Sequence, residues 1–152
     1  MNQKALERLT KCGWTKDRHV DISKIEKQYR DFNIEMPDIV RSFLESFQDI
    51  KVIYPLRDPY VHKEEHCFDG NIDYEDKTEL ETLFEDYGLI GMVYPLGCAY
   101  RYNMELYYHE NGKFYQYMGG GPLQEIGKTV DEMLDVVIGD DFSTWKDIEP
   151  ID

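Results

Sequence analysis

The stretch from Tyr100 to Met118 constrains the fold of this chain most, because it predicts a β-hairpin. Two runs rich in Tyr, Met, Leu and Phe flank Asn111-Gly112, the dipeptide favoured in a two-residue type I′ turn. In that register Glu110 faces Lys113, and the two strands share an apolar face and a mixed face. The apolar face contains Met104, Leu106, Tyr108, Tyr115 and Tyr117, and the mixed face contains Glu105, Tyr107, His109, Phe114 and Gln116. A longer loop would exchange the two faces on one strand.

Apolar periodicity around the hairpin predicts helices and further strands. Capping boxes at Ser23-x-x-Glu26 and Thr129-x-x-Glu132 mark two helix starts. Helices are expected at 3–12, 23–32, 36–48, 75–87 and 130–138, strands at 50–54, 66–68, 89–94 and 123–126, and a long excursion at 56–74. This order predicts the α+β class: a single domain over 1–152 whose mostly antiparallel sheet, with a central hairpin at about 100–118, is covered by helices.

Length and cysteine content are typical of an intracellular domain. A chain of 152 residues buries enough surface to fold without a disulfide or a structural metal. Cys12, Cys67 and Cys98 are an odd number with no CxxC pair, which favours three reduced thiols. No apolar run approaches the length of a membrane span, and the first residues lack the apolar stretch of a signal peptide. A soluble, cytoplasmic protein is expected.

The net charge of −14 is unevenly distributed. Residues 1–51 carry ten basic and nine acidic side chains, whereas residues 58–86 carry eleven acidic and two basic, and residues 128–152 eight acidic and two basic. Such acidic segments repel nucleic acids and anionic membranes and attract basic partners. The alternative is an acidic surface that serves solubility alone.

One fragment suggests chemistry. His62-Lys63-Glu64-Glu65-His66 has the HxxEH order of a zinc-peptidase group, in which two imidazoles on one helix share a metal and Glu65 acts as the base. A metal-dependent hydrolase is therefore an alternative function. The fragment lies between Pro59 and Gly70 without an apolar helical stripe, which favours two surface histidines in an acidic loop, with adventitious metal binding helped by Cys67 at most. We expect no catalytic residue, no metal site and no cofactor.

Several short motifs resemble, in order, those of the third branch of the SUKH immunity superfamily. They span nearly the whole chain. They are Gly13-Trp14 followed by Arg18 and Asp21, Pro37 with Phe43, Leu44 and Phe47, Tyr94-Pro95-Leu96-Gly97, Glu110-Asn111-Gly112-Lys113-Phe114-Tyr115, and Gly127 with the helix from Val130 to Ile138. Met133-Leu134 departs from the Ala-Leu usual in the family, and residues 56–74 match no motif.

The resemblance implies an α+β immunity protein that binds and neutralises a bacterial toxin, typically a nuclease domain of a polymorphic toxin system, by occluding its basic active-site surface. It assigns Gly13, Trp14, Arg18, Asp21, Pro95 and Gly97 to the fold, and an ion pair between Arg18 and Asp21 is one expectation. An acidic regulatory adaptor with a non-toxin protein partner is a further alternative.

The predicted docking surface combines acids of the excursion with aromatic side chains of the hairpin. Charge raises the rate of encounter, and aromatic anchors supply binding hot spots. The expected residues are Glu64, Glu65, Asp69, Asp73, Glu75, Asp76, Tyr102 and Tyr107. Asp140, Asp141 and Asp147 of the acidic C-terminal tail, residues 140–152, are the second choice, because a tail containing Trp145 can instead pack on the domain.

Overall fold

The computed structural model describes residues 1–72 and 74–151, and residues 74–76 only by their place in a helix. Within these residues the elements, in chain order, are α1 (Gln3–Lys11), α2 (Ser23–Asp31), α3 (Asp38–Phe47), β1 (Lys51–Pro55), β2 (Lys63–Phe68), α4 (Tyr74–Glu85), β3 (Val93–Ala99), β4 (Met104–His109), β5 (Phe114–Tyr117), β6 (Leu123–Gly127), α5 (Val130–Val137) and β7 (Lys146–Ile148). The strands form one antiparallel sheet in sequence order, β1 to β7. The α+β prediction is confirmed.

Helices cover both faces of the sheet. On one face, α1, α2, α3 and α5 bury a large core that includes Leu44, Leu106, Phe114 and Leu134. On the other face, α4 contributes Phe84 to a smaller cluster with Val93, Tyr107, Tyr115 and Leu123. None of the described helices is both long and apolar enough to cross a membrane.

The two predicted capping boxes have different outcomes. At α5, the N–H of Glu132 donates to Thr129 Oγ1 at 3.1 Å, as predicted. At α2, Ser23 does not act as the cap; its own N–H donates to Asp21 Oδ1 at 2.8 Å. Asp21 thus satisfies one N–H of the first turn, and the N-cap residue, Ile22, makes no side-chain cap.

The hairpin is present, but its predicted register is wrong. Tyr108 pairs with Phe114, and the N–H of His109 donates to the carbonyl of Lys113, so the loop has three residues rather than two. Only Gly112 of the Asn111-Gly112 pair has a positive φ, +90°, which excludes a type I′ turn. Side chains of the loop favour the longer form, because His109 Nδ1 accepts from the N–H of Asn111 and Asn111 Oδ1 accepts from that of Lys113.

This one-residue difference exchanges the faces of β5. Phe114 enters the larger core beside Tyr108, whereas Tyr115 and Tyr117 join Tyr107 beneath α4. Most of the mixed face of the hairpin therefore meets a helix, whereas Glu105 on the same face is exposed.

The strand predicted to end before Pro95 instead continues through it to Ala99. The ladder between β3 and β4 shifts register between Pro95 and Gly97. Prolines within sheets are found at such bulges, because an interrupted ladder has positions that need no N–H donor. The C-terminal tail also adds β7, which pairs with β6, so β6 is an interior strand and not the expected edge segment.

The early family motif connects the α1–α2 linker to the end of α3. Trp14 stacks on Phe47 with 5.4 Å between ring centroids. The guanidinium of Arg18 donates to the carbonyl oxygens of Ser46 and Gln48, both at 2.7 Å, where α3 leaves carbonyls without helical partners. The expected ion pair between Arg18 and Asp21 is wrong, because Arg18 donates to carbonyls at the end of α3 and Asp21 accepts from the N–H of Ser23.

Candidate functional site

One half of the α4-side sheet face is left open by that helix. Cross-strand partners define a row of side chains that point to this face: Lys51, Cys67, Cys98, Glu105, Tyr117, Leu123 and Ile148. Tyr117, Leu123 and Ile148 pack with α4. At the other end of the row, Lys51 and Glu105 are exposed and the two cysteines are half-buried.

A cleft of about 320 Å³ lies where the open half of the sheet meets α4. We call it the acidic cleft, and its lining residues are Asp69, Asn71, Glu79, Leu80, Pro95, Gly97, Cys98, Glu105 and Tyr107. Its three carboxylates come from three elements: the end of β2, α4 and β4. None of these described lining residues is basic, so the cleft can hold a cationic group.

Hydrogen bonds fix two of the three carboxylates. Asp69 accepts from Gln48 Nε2 at 2.9 Å and from the N–H of Asn71 at 3.0 Å. Partial burial alone would raise the pKa of Asp69, but these hydrogen bonds, with a smaller contribution from the charge of Lys24, hold it below its ordinary value. Glu105 accepts a hydrogen bond from the hydroxyl of Tyr107. Asp69 is therefore an anion at neutral pH, and Glu105 has a set orientation.

Cys98 in the cleft does not have the environment of a nucleophile. Its cross-strand partner is Cys67. Burial raises the pKa of both thiols, and neighbouring acids, Glu105 at Cys98 and Asp69 at Cys67, raise it further. Protonated thiols are poor nucleophiles.

Glu64 and Glu65, two of the predicted docking residues, lie on opposite faces of β2. Glu64 points to the larger core, is 8% exposed and pairs with both carboxylate oxygens to Arg101 Nη1 at 2.8 Å, so its prediction as a surface acid is wrong. Glu65 lies on the opposite face, in cross-strand register with Ile53, which is 43% exposed. Asp69 lies in the cleft. Tyr107 forms one wall of the cleft but is buried, so it is not an exposed anchor.

Tyr102 is 57% exposed and lies in an unusual turn. Three consecutive residues between β3 and β4, Tyr100, Arg101 and Tyr102, have φ of 53°, 59° and 67°. Each left-handed non-glycine residue costs about 1 kcal/mol. The turn is held by the Arg101–Glu64 pair and by the Arg101 N–H, which donates to the carbonyl of Glu65.

The remaining predicted acids are placed as follows. Asp73 lies outside the described residues, and Glu75 and Asp76 belong to the first turn of α4. In the tail, Asp140 pairs with Lys4 and Arg8, each at 3.2 Å, and Asp147 accepts from Gln124 Nε2 at 3.0 Å. Asp141 is exposed and accepts from the N–H of Ser143. Asp140 and Asp147 therefore have structural partners, and β7 fixes this part of the tail to the sheet.

The HxxEH fragment does not form a helical metal site. His66 lies in strand β2 and His62 just before it, so extended chain separates them by about 13 Å. The prediction of two surface histidines is right for His62, which is exposed, and wrong for His66, which is fully buried. His66 Nε2 is 2.8 Å from the hydroxyl of Tyr54, and its Nδ1 accepts from the N–H of Tyr100 at 3.1 Å. Among the residues described, no cluster of three potential metal ligands is found.

Two cleft residues, Glu79 and Glu105, were not among the predicted docking residues. Glu105 and Tyr107 alternate along one predicted strand, so the sequence already placed them on the same face. Glu79 has no such signal, because the side of α4 that borders an uncovered sheet depends on tertiary packing.

A protein-family model described as SUKH-3 immunity protein matches residues 1–140. No curated protein and no solved structure gives a significant match to the chain.

Proposed function

Because the chain belongs to the SUKH-3 immunity protein family, we propose that it neutralises a cognate bacterial toxin by covering the toxin's active-site surface. Membership of an immunity family indicates a binding role and a toxin as the partner. The proposal adds that the partner surface is basic, that the toxin is a nuclease, and that the complex forms in the cytoplasm.

Charge is the observation that carries this proposal. Residues 52–152 have a net charge of −15, whereas residues 1–51 are nearly neutral. A nuclease that binds phosphates needs a basic cleft, and a strongly acidic protein meets such a surface quickly and discriminates against wrong partners. The catalytic groups of the toxin are then shielded from nucleic acid without chemistry by this chain.

The proposed docking face consists of the open half of the sheet, the acidic cleft and the β3–β4 turn. Glu65, Asp69, Glu79 and Glu105 supply charge, and Tyr102 supplies an exposed aromatic anchor. Glu75 and Asp76, in the first turn of α4, belong to this proposal by their position in the chain. The C-terminal acids Asp140, Asp141 and Asp147 remain the second choice.

The direct test is co-expression with candidate toxin domains, taken first from genes near that of the chain. We expect the chain to restore growth, to form a one-to-one complex with the purified toxin domain, and to block cleavage of DNA or RNA in proportion to its concentration. A toxin domain that stays active in the presence of excess chain would contradict the proposed function. A stable complex with a protein of no toxic activity would support the adaptor hypothesis instead.

A further inference from the structure

The acidic cleft has the chemistry of a receptor for one cationic side chain. Glu79 and Glu105 are both exposed and approach the cleft from α4 and β4 respectively, and Asp69 approaches it from the end of β2. Like charges in one cleft repel one another unless a cation enters between them. None of the described lining residues is basic, and Lys24, whose charge acts on Asp69, lies outside this lining, so a cationic group of a partner suits the cleft.

The walls between these acids are apolar. Leu80 on α4, Pro95 on β3 and the ring of Tyr107 line the cleft beside the carboxylates. A cation that is small and fully hydrated gains nothing from such walls, whereas a long side chain buries its methylene stem against them and keeps its charge at the acids. This combination favours arginine or lysine over a metal ion.

The floor of the cleft depends on a residue without a side chain. Gly97 has φ of +143°, and a Cβ atom there would lie 2.1 Å from the carbonyl oxygen of Cys67. Glycine thus lets β2 and β3 approach closely at the floor of the cleft. Pro95 and Gly97, which the family motif pairs, therefore shape this cleft as well as the sheet.

We propose that the acidic cleft receives an arginine side chain of the toxin, an inference that rests on the proposed function. The guanidinium lies between Glu79 and Glu105, with Asp69 adding negative charge at the inner end, and the stem lies across Leu80 and Pro95. Arginine suits carboxylates on separate elements better than lysine does, because its planar fork presents five N–H donors in fixed directions. The arginine is one anchor of the toxin interface and orients the toxin on the sheet.

The experiment uses the intact chain and a chemical probe, acetyl-arginine-amide. In an NMR titration we expect amide shifts at Gly97, Cys98 and Glu105 with half-saturation in the range of about 1–10 mM, the affinity of a single weakly held group. Acetyl-citrulline-amide has nearly the same shape without the charge, and acetyl-lysine-amide has the charge without the fork. We expect no shifts with acetyl-citrulline-amide, and weaker binding of acetyl-lysine-amide than of acetyl-arginine-amide.

Matched variants separate the cleft from net charge. Glu79→Gln with Glu105→Gln should weaken binding of acetyl-arginine-amide at least about tenfold, a change of about 1.4 kcal/mol. Glu7→Gln with Asp17→Asn changes the net charge equally at exposed positions on α1 and in the loop after it, and should leave binding unchanged. Shifts outside the cleft, equal binding of citrulline, or equal weakening by both variants would overturn the inference.

A toxin-binding measurement distinguishes failure of the arginine site from failure of the proposed function, toxin neutralisation. If the chain neutralises its toxin and the cleft variant does so with unchanged affinity, the arginine site is overturned while the function stands. If the wild-type chain fails to neutralise the toxin, the function itself is overturned. If the cleft variant loses affinity for the toxin and the control variant keeps it, the result supports both the arginine site and the proposed function.

Discussion

At the scale of single residues, His66 is held neutral by its surroundings. Since Nδ1 accepts a backbone N–H, the imidazole proton is on Nε2 and is donated to Tyr54. The pKa of His66 is lowered to about 3, chiefly by burial and then by the charge of Arg8; Asp140 opposes this, and Arg101 adds a smaller lowering. The residue that looked like a metal ligand is thus a structural link between β1, β2 and the β3–β4 turn.

This burial predicts a pH dependence of stability. The folded-state pKa of His66 is below its value of 6.5 in the unfolded chain, so the unfolded state takes up the proton first as the pH falls. The contribution of neutral His66 to the free energy of unfolding is therefore fully present above pH 6.5. It falls by up to about 1.4 kcal/mol per pH unit as the pH decreases towards 3. Urea unfolding at pH 7 and pH 5 measures this change in the free energy of unfolding. Carboxylates contribute little to the change in this pH range.

Two variants test whether His66 causes that pH dependence. His66→Gln should reduce the difference in unfolding free energy between pH 7 and pH 5, whereas His62→Gln, at an exposed position, should preserve it. An undiminished difference in His66→Gln would show that another group is responsible.

Gly97 gives a second prediction at this scale. Gly97→Ala should lower the free energy of unfolding by about 3 kcal/mol or more, because the new Cβ would overlap the Cys67 carbonyl in addition to straining the backbone. Gly112→Ala is the matched control: φ is +90°, but no atom lies within 4 Å of the added Cβ, and the expected loss is about 1 kcal/mol. Equal losses in thermal or urea unfolding would contradict the close approach of β2 and β3.

At the scale of elements, the strained β3–β4 turn presents Tyr102 to solvent. Tyr102→Asn should keep or raise the stability by about 0.5 kcal/mol, because asparagine tolerates the left-handed conformation better than tyrosine does. The same change should speed dissociation of the toxin by tenfold or more, about 1.4 kcal/mol, if the ring is a binding hot spot.

The control for that change lies at the opposite end of β3. Ile90 precedes β3, is 73% exposed, and is not part of the proposed docking face. Ile90→Asn removes a comparable apolar side chain and should leave dissociation unchanged. Unchanged dissociation in Tyr102→Asn would remove the turn from the interface.

The elements also show what the sequence could predict. The five helices, the hairpin and the antiparallel sheet follow from apolar periodicity and turn residues, which are local signals. The hairpin register did not follow, because side-chain hydrogen bonds of His109 and Asn111 decided between a two-residue and a three-residue loop. β7 was missed because Lys146–Ile148 has little apolar character of its own and depends on its pairing with β6.

The candidate site was only partly predictable for the same reason. Net charge located the acidic segments, and the docking prediction included Asp69 and Glu65. In the structure Glu64 points to the core and Glu65 to the open face, because neighbouring residues of a strand point to opposite faces. The sequence alone does not show which of the two is buried, since this depends on the register of β2 against β1. Glu79 entered the cleft only through the packing of α4.

At the scale of the whole molecule, three of the described carboxylates, those of Asp69, Glu79 and Glu105, line one cleft. This cleft lies beside an uncovered part of the sheet, whereas a surface that serves solubility alone needs no such arrangement. Charge at this face should govern the rate of association with a basic toxin, and Tyr102 the rate of dissociation.

The most direct test is the rate at which the chain associates with a toxin domain that it neutralises. Stopped flow measures this rate between about 50 and 300 mM salt, roughly the range in which screening changes most. For the wild-type chain we expect a steep fall with salt, and for Glu65→Gln with Glu79→Gln and Glu105→Gln an association about tenfold slower at low salt with a flatter dependence. Glu7→Gln with Asp17→Asn and Asp131→Asn has an equal charge change at positions outside the cleft lining and should follow the wild type closely. Association of the cleft variant at the wild-type rate and salt dependence, or equal slowing in both variants, would contradict docking of the toxin on this acidic face.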